Sequence, residues 1–198
     1  IKVAKSRPVG YDRESLIWTS SNTALHGKFE AMRNELKSNN LIVEMAESTS
    51  PTTDVWNTNG GFNWEGKDPN QGVDFPNSGV TYEFGKVINW EIKEGRDFSR
   101  DFATDSAAFI LNESAVKFIG FKEPIGQTIT WNDKPYKVIG VVKDMLVQSP
   151  YQPIRASMYH LSMEEENTMI MKINPKMTAS EAVNKIETVF KKYDPGTA

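Results

Sequence analysis

Gly95-Arg-Asp-Phe-Ser99, Ala107-Ala-Phe-Ile-Leu-Asn112, Pro124-Ile-Gly126 and Tyr136-Lys-Val-Ile-Gly-Val-Val-Lys-Asp144 mark the stretch on which the fold turns. Three apolar runs lie in it: Ala107–Leu111, Ile125–Trp131 and Val138–Val142. Each is short, rich in β-branched or aromatic residues and bounded by Gly, Pro, Asn or Asp, the pattern of strands. Between the first two, Val116, Phe118 and Ile119 predict about two turns of helix over Glu113–Phe121. Asn112 stands where an N-cap belongs, with Glu113 in the first turn, and Gly120 ends the helix. Ile129–Trp131 and Tyr136–Val142 predict a hairpin around Asn132-Asp133-Lys134, with Pro135 tolerated at the start of its second strand.

Upstream, Lys2–Gly10 is polar and basic and reads as a linker, with Pro8-Val9-Gly10 as a turn. Leu16–Thr19 reads as a short buried strand. A helix is expected from about Thr23 to Ser38, because Leu25, Phe29, Met32 and Leu36 are spaced four, three and four and share one face. Leu41–Ala46 is the next strand, and the two strands are expected to be neighbours. From Thr49 the composition shifts to Ser, Thr, Asn, Gly and Pro with interspersed aromatics. Short strands are expected at about Asn63–Glu65 and Val73–Phe75, and a short helix within Tyr82–Trp90. Downstream, Ala156–Leu161 and Met169–Ile173 read as strands. Thr178-Ala-Ser-Glu181 is a capping box opening a helix with Val183, Ile186, Phe190 and Tyr193 on one face.

Both chain ends are thus strand-and-helix units around a middle richer in strands. The fold class expected is α+β with two subdomains. One is an α/β part built from both ends, 1–48 and 151–198; the other is an inserted strand-rich part, 49–150. The composition change at Thr49 and the Pro-rich return at Ser149–Pro153 place the boundaries and predict that the inserted part moves relative to the rest.

Composition excludes several function classes. The net charge of −3 gives no basic field, so no nucleic-acid partner is expected. Cysteine is absent, which removes disulfides, thiolate nucleophiles and Cys-based zinc sites. His26 and His160 are the only histidines, too few for a multi-histidine metal site, and both read as packing residues. No apolar run reaches the ~18 residues of a membrane helix. There is no Gly-x-Ser-x-Gly elbow and no Walker A loop, so neither catalysis nor a cofactor is expected of this chain. Asp97, Asp101, Asp105 and Asp144 admit an acid–base or metal cluster, but three of them sit in one loop where Asp is a turn residue. Asp144 reads as a turn cap, Arg96 as a partner for a buried carboxylate, and the sequon Asn112-Glu-Ser114 as the helix cap. The aromatics Trp56, Phe62, Trp64 and Phe75 are the candidate partner or substrate contacts; the alternative is that they fill a small β core.

The order and spacing of Gly95-Arg-Asp-Phe98, Ile110-Leu-Asn-Glu-Ser-Ala-Val116, Phe118-Ile-Gly120, Pro124-Ile-Gly-Gln-Thr-Ile129 and Val138-Ile-Gly-Val-Val-Lys-Asp144 carry a family resemblance. Together they resemble the extracytoplasmic core domain of MacB/FtsX-like ABC-transporter permeases, most clearly over 87–144. Arg7-Pro-Val-Gly-Tyr-Asp-Arg-Glu14 resembles the segment after the first membrane helix in that family. The resemblance implies a porter-like part from both ends and an inserted sabre-like part. It implies a non-enzymatic periplasmic domain at the bacterial inner membrane that passes ATP-driven motion from the membrane helices to a periplasmic protein or peptide substrate. The implied partners are a cytoplasmic ATPase subunit or domain and a second permease copy or pseudo-copy. The isolated domain is expected to be monomeric, with Gly10 and Tyr193 on one membrane-facing side. Two other functions are kept: a secreted glycan- or peptide-binding module using segment 56–75, and a hydrolase using Asp97 or Asp144.

Overall fold

A computed structural model describes residues 15–146, 153–164 and 166–196. Strand β9 (Lys134–Val142) is its centre. One edge pairs antiparallel with β8 (Thr128–Trp131) and then β6 (Ile92–Gly95); the other pairs in parallel with β7 (Ala108–Asn112). The β8–β9 hairpin turns on Asn132 and Asp133, both at positive φ (48° and 64°), and Lys134 already pairs with Trp131. The turn is therefore two residues long, the form whose twist matches the flanking strands. Pro135 precedes Lys137, where β7 begins to pair. Helix α4 (Glu113–Ile119) follows β7; Asn112 caps it and Gly120 ends it at φ 87°.

The remaining strands are β1 (Leu16–Ser20), β2 (Ile42–Ser48), β3 (Thr58–Asn59), β4 (Phe62–Trp64), β5 (Phe75–Val80), β10 (Met158–Leu161) and β11 (Thr168–Ile173). The described strands form one mixed sheet in the order β1-β11-β2-β5-β10-β7-β9-β8-β4, with β3 on β5 and β6 on β9. The other helices are α1 (Thr23–His26), α2 (Phe29–Ser38), α3 (Phe84–Ile88) and α5 (Ala179–Tyr193).

Several expectations change. The single helix over 23–38 is two: Gly27 keeps right-handed helical angles, but Lys28 departs from them at φ −119° and ψ 11°, next to a glycine whose low helix propensity weakens the run. Its apolar stripe survives: Leu25, Phe29, Met32 and Leu36 are all buried. The strands β1 and β2 are not neighbours; β11 lies between them, antiparallel to both. This is a split βαβ unit, whose helices cross far enough to leave room for a third strand. The strand expected at Val73–Phe75 runs instead from Phe75 to Val80, through Pro76 and Gly79. Pairing with β3 and β10 on either side overrides a turn-like composition.

Two lobes follow from the pairing. In the first, β1, β2 and β11 carry α2 and α5, and Leu25, Met32, Leu36, Met45, Met169 and Phe190 are among its core residues. In the second, Phe62, Phe75, Phe109, Leu111, Ile129 and Met158 are packed together. A third cluster lies at the junction and joins Ala46 and Ile170 to Val80, Phe84, Val87 and Ile88. Among the described residues, only the pair Ser48↔Val80 links the two lobes as strands. Strand β10, expected to belong with the chain ends, sits between β5 and β7 in the second lobe.

The first and last described elements meet. Ile17 packs into the cluster of α2 and α5, Asn22 Nδ2 donates to Asp194 Oδ2 at 2.8 Å, and Lys28 Nζ donates to the Tyr193 carbonyl at 3.0 Å. Gly10 and most of Ser149–Pro153 lie outside the described residues.

Candidate functional site

The loop acids are held apart by separate structural tasks. Asp105 is fully buried and takes Arg96 in a fork, Nη2 to Oδ1 at 2.6 Å and Nη1 to Oδ2 at 2.8 Å, with the Ser99 amide donating at 2.9 Å. Burial pushes its pKa up, but the Arg96 bonds and the Ser99 amide outweigh that and hold it below the usual carboxylate value. Asp97 accepts from Trp90 Nε1 at 2.9 Å and from the Phe98 amide at 2.7 Å. There burial prevails, and its pKa is raised. Asp144 accepts from the Ser114 amide at 2.9 Å and from Ser114 Oγ at 2.6 Å, so it caps the first turn of α4 from another strand's end. Among the described residues, no group of three His, Asp or Glu side chains is placed to hold a metal.

Asn112 is almost fully buried. Its Oδ1 accepts from Ala115 and Ser157 amides at 2.9 and 2.8 Å, and its Nδ2 donates to the Arg155 carbonyl at 2.8 Å. A side chain so enclosed is no glycan acceptor. His26 Nδ1 lies 2.7 Å from Glu47 Oε2. His160 Nδ1 lies 2.8 Å from Asn77 Oδ1, packed against Trp131, and burial pushes its pKa down to about 4.

Of the four aromatics expected at a contact surface, three are core. Phe62, Trp64 and Phe75 are buried, with Phe62 edge-on to Phe75 at 5.3 Å and stacked on Trp131 at 5.7 Å. The inward faces of β4 and β5 need large side chains to fill the second lobe, and these three supply them. A partner reaches none of them without opening that lobe. Trp56 is the exception: it is 45% exposed and meets Trp18, equally exposed, edge-to-face at 5.6 Å. Sequence reasoning assigned Trp18 to a buried strand. Its signal was the edge position of β1, which no local pattern reports. Beside Trp18 an open apolar groove of about 600 Å³ runs between β1 and α5, lined by Ile17, Met171, Val183, Ile186 and Phe190.

A second concentration of charge was not anticipated. Glu44 is nearly buried and accepts from Arg33 Nε at 2.6 Å, Arg33 Nη2 at 3.0 Å and Lys37 Nζ at 2.8 Å. Arg33 also lies 3.9 Å from Glu83, which is bonded to Arg100, and Arg100 reaches Glu30 at 3.2 Å. These residues come from four places in the chain, so no single stretch announces them.

The mixed α/β fold agrees with what the motif series implied, and residues 12–189 match the family described as MacB-like periplasmic core domain. The chain belongs to that family. A MacB-like core domain of this kind is a periplasmic portion of an ABC-transporter permease, and among its described residues no helix is long and apolar enough to cross a membrane. The macrolide export ATP-binding/permease protein MacB of Campylobacter fetus subsp. fetus (strain 82-40) is 28% identical over 125 residues, covering 58% of this chain and 19% of that protein. The protein of the same name from Aggregatibacter actinomycetemcomitans is 37% identical over 68 residues, covering 33% of this chain and 11% of that protein. These alignments therefore span only about a tenth to a fifth of the relatives' length. The crystal structure of the periplasmic region of MacB from Actinobacillus actinomycetemcomitans superposes with a TM-score of 0.62 at 18% identity, covering 92% of this chain and 85% of that one. At that identity the likeness shows the shared fold.

Proposed function

We propose that this domain works in a bacterial inner-membrane ABC permease as a mechanical relay on the periplasmic side. ATP hydrolysis by a cytoplasmic ATPase subunit or domain moves the membrane helices, and the domain passes that motion to a periplasmic protein or peptide substrate. Two copies or pseudo-copies act together. The observation carrying this reading is the junction of the first and last described elements, Asn22 with Asp194 and Lys28 with the Tyr193 carbonyl. Two membrane helices joined to such a pair would drive one lobe as a unit, leaving the second lobe to face the periplasm. Trp56 and Trp18 are the proposed partner contact, since they form the exposed aromatic pair. The secreted-module reading loses its basis with the burial of Phe62, Trp64 and Phe75.

The test uses the intact permease with its ATPase. This domain has no cysteine, so a Cys at the exposed Lys117 adds a single label site to it. The distance between labelled copies is measured by pulsed electron paramagnetic resonance without nucleotide and with a trapped ATP state. A nucleotide-dependent change is expected; an unchanged distance in a permease that still hydrolyses ATP defeats the relay. Trp18→Ala and Trp56→Ala should weaken transport while leaving basal ATP hydrolysis intact.

A further inference from the structure

We propose that the junction between the lobes is a hinge held shut by an ionic latch centred on Glu83 and Arg100. The inference deepens the relay reading by naming where the relay bends. Three observations meet there. Among the described residues, the strand connection is reduced to the single pair Ser48↔Val80. Beside it the link extends one residue either way: the Thr81 amide donates to the Glu47 carbonyl and the Glu47 amide to Thr81 Oγ1, both at 3.1 Å, while the Thr49 amide donates to the Gly79 carbonyl at 3.0 Å and the Gly79 amide to Thr49 Oγ1 at 2.8 Å. A sheet so narrowed bends there more easily than across a full ladder.

The second observation is a cavity of about 360 Å³ at the same junction. Phe29 and Glu47 line it from the first lobe, Tyr82, Glu83 and Arg100 from the second, and Met163 from the crossing loop. The lobes are therefore not close-packed beside the hinge, and a small rotation there meets few steric obstacles.

The third is the arrangement of charge over that cavity. Glu83 is nearly buried, and its Oε1 holds Arg100 of its own lobe. Arg33 of the first lobe lies 3.9 Å from the same oxygen, and Arg100 reaches across to Glu30 of the first lobe at 3.2 Å. Arg100 stacks over Tyr82, its guanidinium carbon 4.7 Å from the ring centre, which fixes its reach. Glu83 Oε2 has no hydrogen-bond partner among the described residues, so the acid can take a new partner when the lobes shift. Arg100 and Glu30 are both more than half exposed, which leaves this bridge open to screening by salt. The closing contacts thus divide into a salt-sensitive rim and an apolar wedge, in which Phe84, Val87 and Ile88 of α3 pack with Ala46 and Ile170. Loss of the rim leaves the wedge to keep the lobes together while they swing.

The experiment uses this chain by itself, without membrane or ATPase, so its outcome bears on the latch and not on permease coupling. Cysteines replace the exposed Lys117 on α4 and Lys185 on α5, one in each lobe, and carry spin labels. In low salt the labelled chain should give one narrow distance distribution. Arg100→Gln should raise a second population at least threefold from a starting share below about 10%, the range of ordinary minor states. Glu30→Gln should do the same more weakly, and 1 M NaCl should shift the parent chain in the same direction. A folded, cooperatively melting Arg100→Gln variant with the parent's distribution overturns the latch. If that variant does not fold, the salt titration of the parent chain and Glu30→Gln decide: distributions unchanged in both overturn it equally.

Discussion

Replacing Glu44 by Gln removes one charge from a site built around two cations, Arg33 and Lys37, and the Met45 amide. Burial is the largest influence on this carboxyl and pushes its pKa up, but bonds from Arg33, Lys37 and the Met45 amide outweigh it and bring it from the ordinary 4.5 to about 2. At about 1.4 kcal/mol per decade, that depression corresponds to about 3 kcal/mol of folding stability at neutral pH. The folded-state value lies below the unfolded one, so this contribution is complete above pH 4.5 and fades as pH falls towards 2. Gln keeps part of the hydrogen bonding and the Lys37 end is partly exposed, which lowers the expected cost to about 2 kcal/mol. For a domain of this size that is a drop of roughly 4–8 °C in Tm at pH 7. Thermal melts of parent and Glu44→Gln chains at pH 7, 4 and 2.5 check it. The gap between them should narrow as pH falls and nearly close at the lowest pH. A gap of equal size at all three would refute an ionic role for Glu44 and leave only side-chain packing.

Arg96→Ala strands the buried Asp105 and should cost about 3 kcal/mol in urea unfolding at pH 7; Arg96→Ala/Asp105→Ala together should cost less than the sum of the two single changes. His160, held neutral by burial with its pKa at about 4, binds its proton later than the unfolded chain does, so stability should fall between pH 6.5 and 4. His160→Gln should flatten that part of the pH–stability curve, and an unchanged slope would assign it to other groups. Phe109→Ala, which removes a fully buried ring stacked 4.4 Å from Tyr136, should cost about 3–5 kcal/mol in the same unfolding assay.

What the sequence by itself determined is local. Asn112 before Glu113, Gly120 after Ile119, Thr178 three residues before Glu181 and Asn132-Asp133 in the hairpin each act through backbone groups a few positions away, so their roles were legible in a short window. The helical stripe from Leu25 to Leu36 was legible for the same reason, although the break at Gly27 and Lys28 was not. The motif series from Gly95 to Asp144 carried the family, because it preserves the turns and caps of one βαβ stretch. Tertiary structure alone decided which strands are neighbours. It put β11 between β1 and β2, drew β10 into the second lobe and stretched β5 through Pro76 and Gly79. Those choices rest on partners far away in the chain, and the same alternation of residues is compatible with several of them. They in turn decided that Phe62, Trp64 and Phe75 are core while Trp18 and Trp56 stay at the surface. They also brought Glu30, Arg33, Glu83 and Arg100 together over the one residue pair that joins the lobes as strands among the described residues, a meeting that no window of sequence contains.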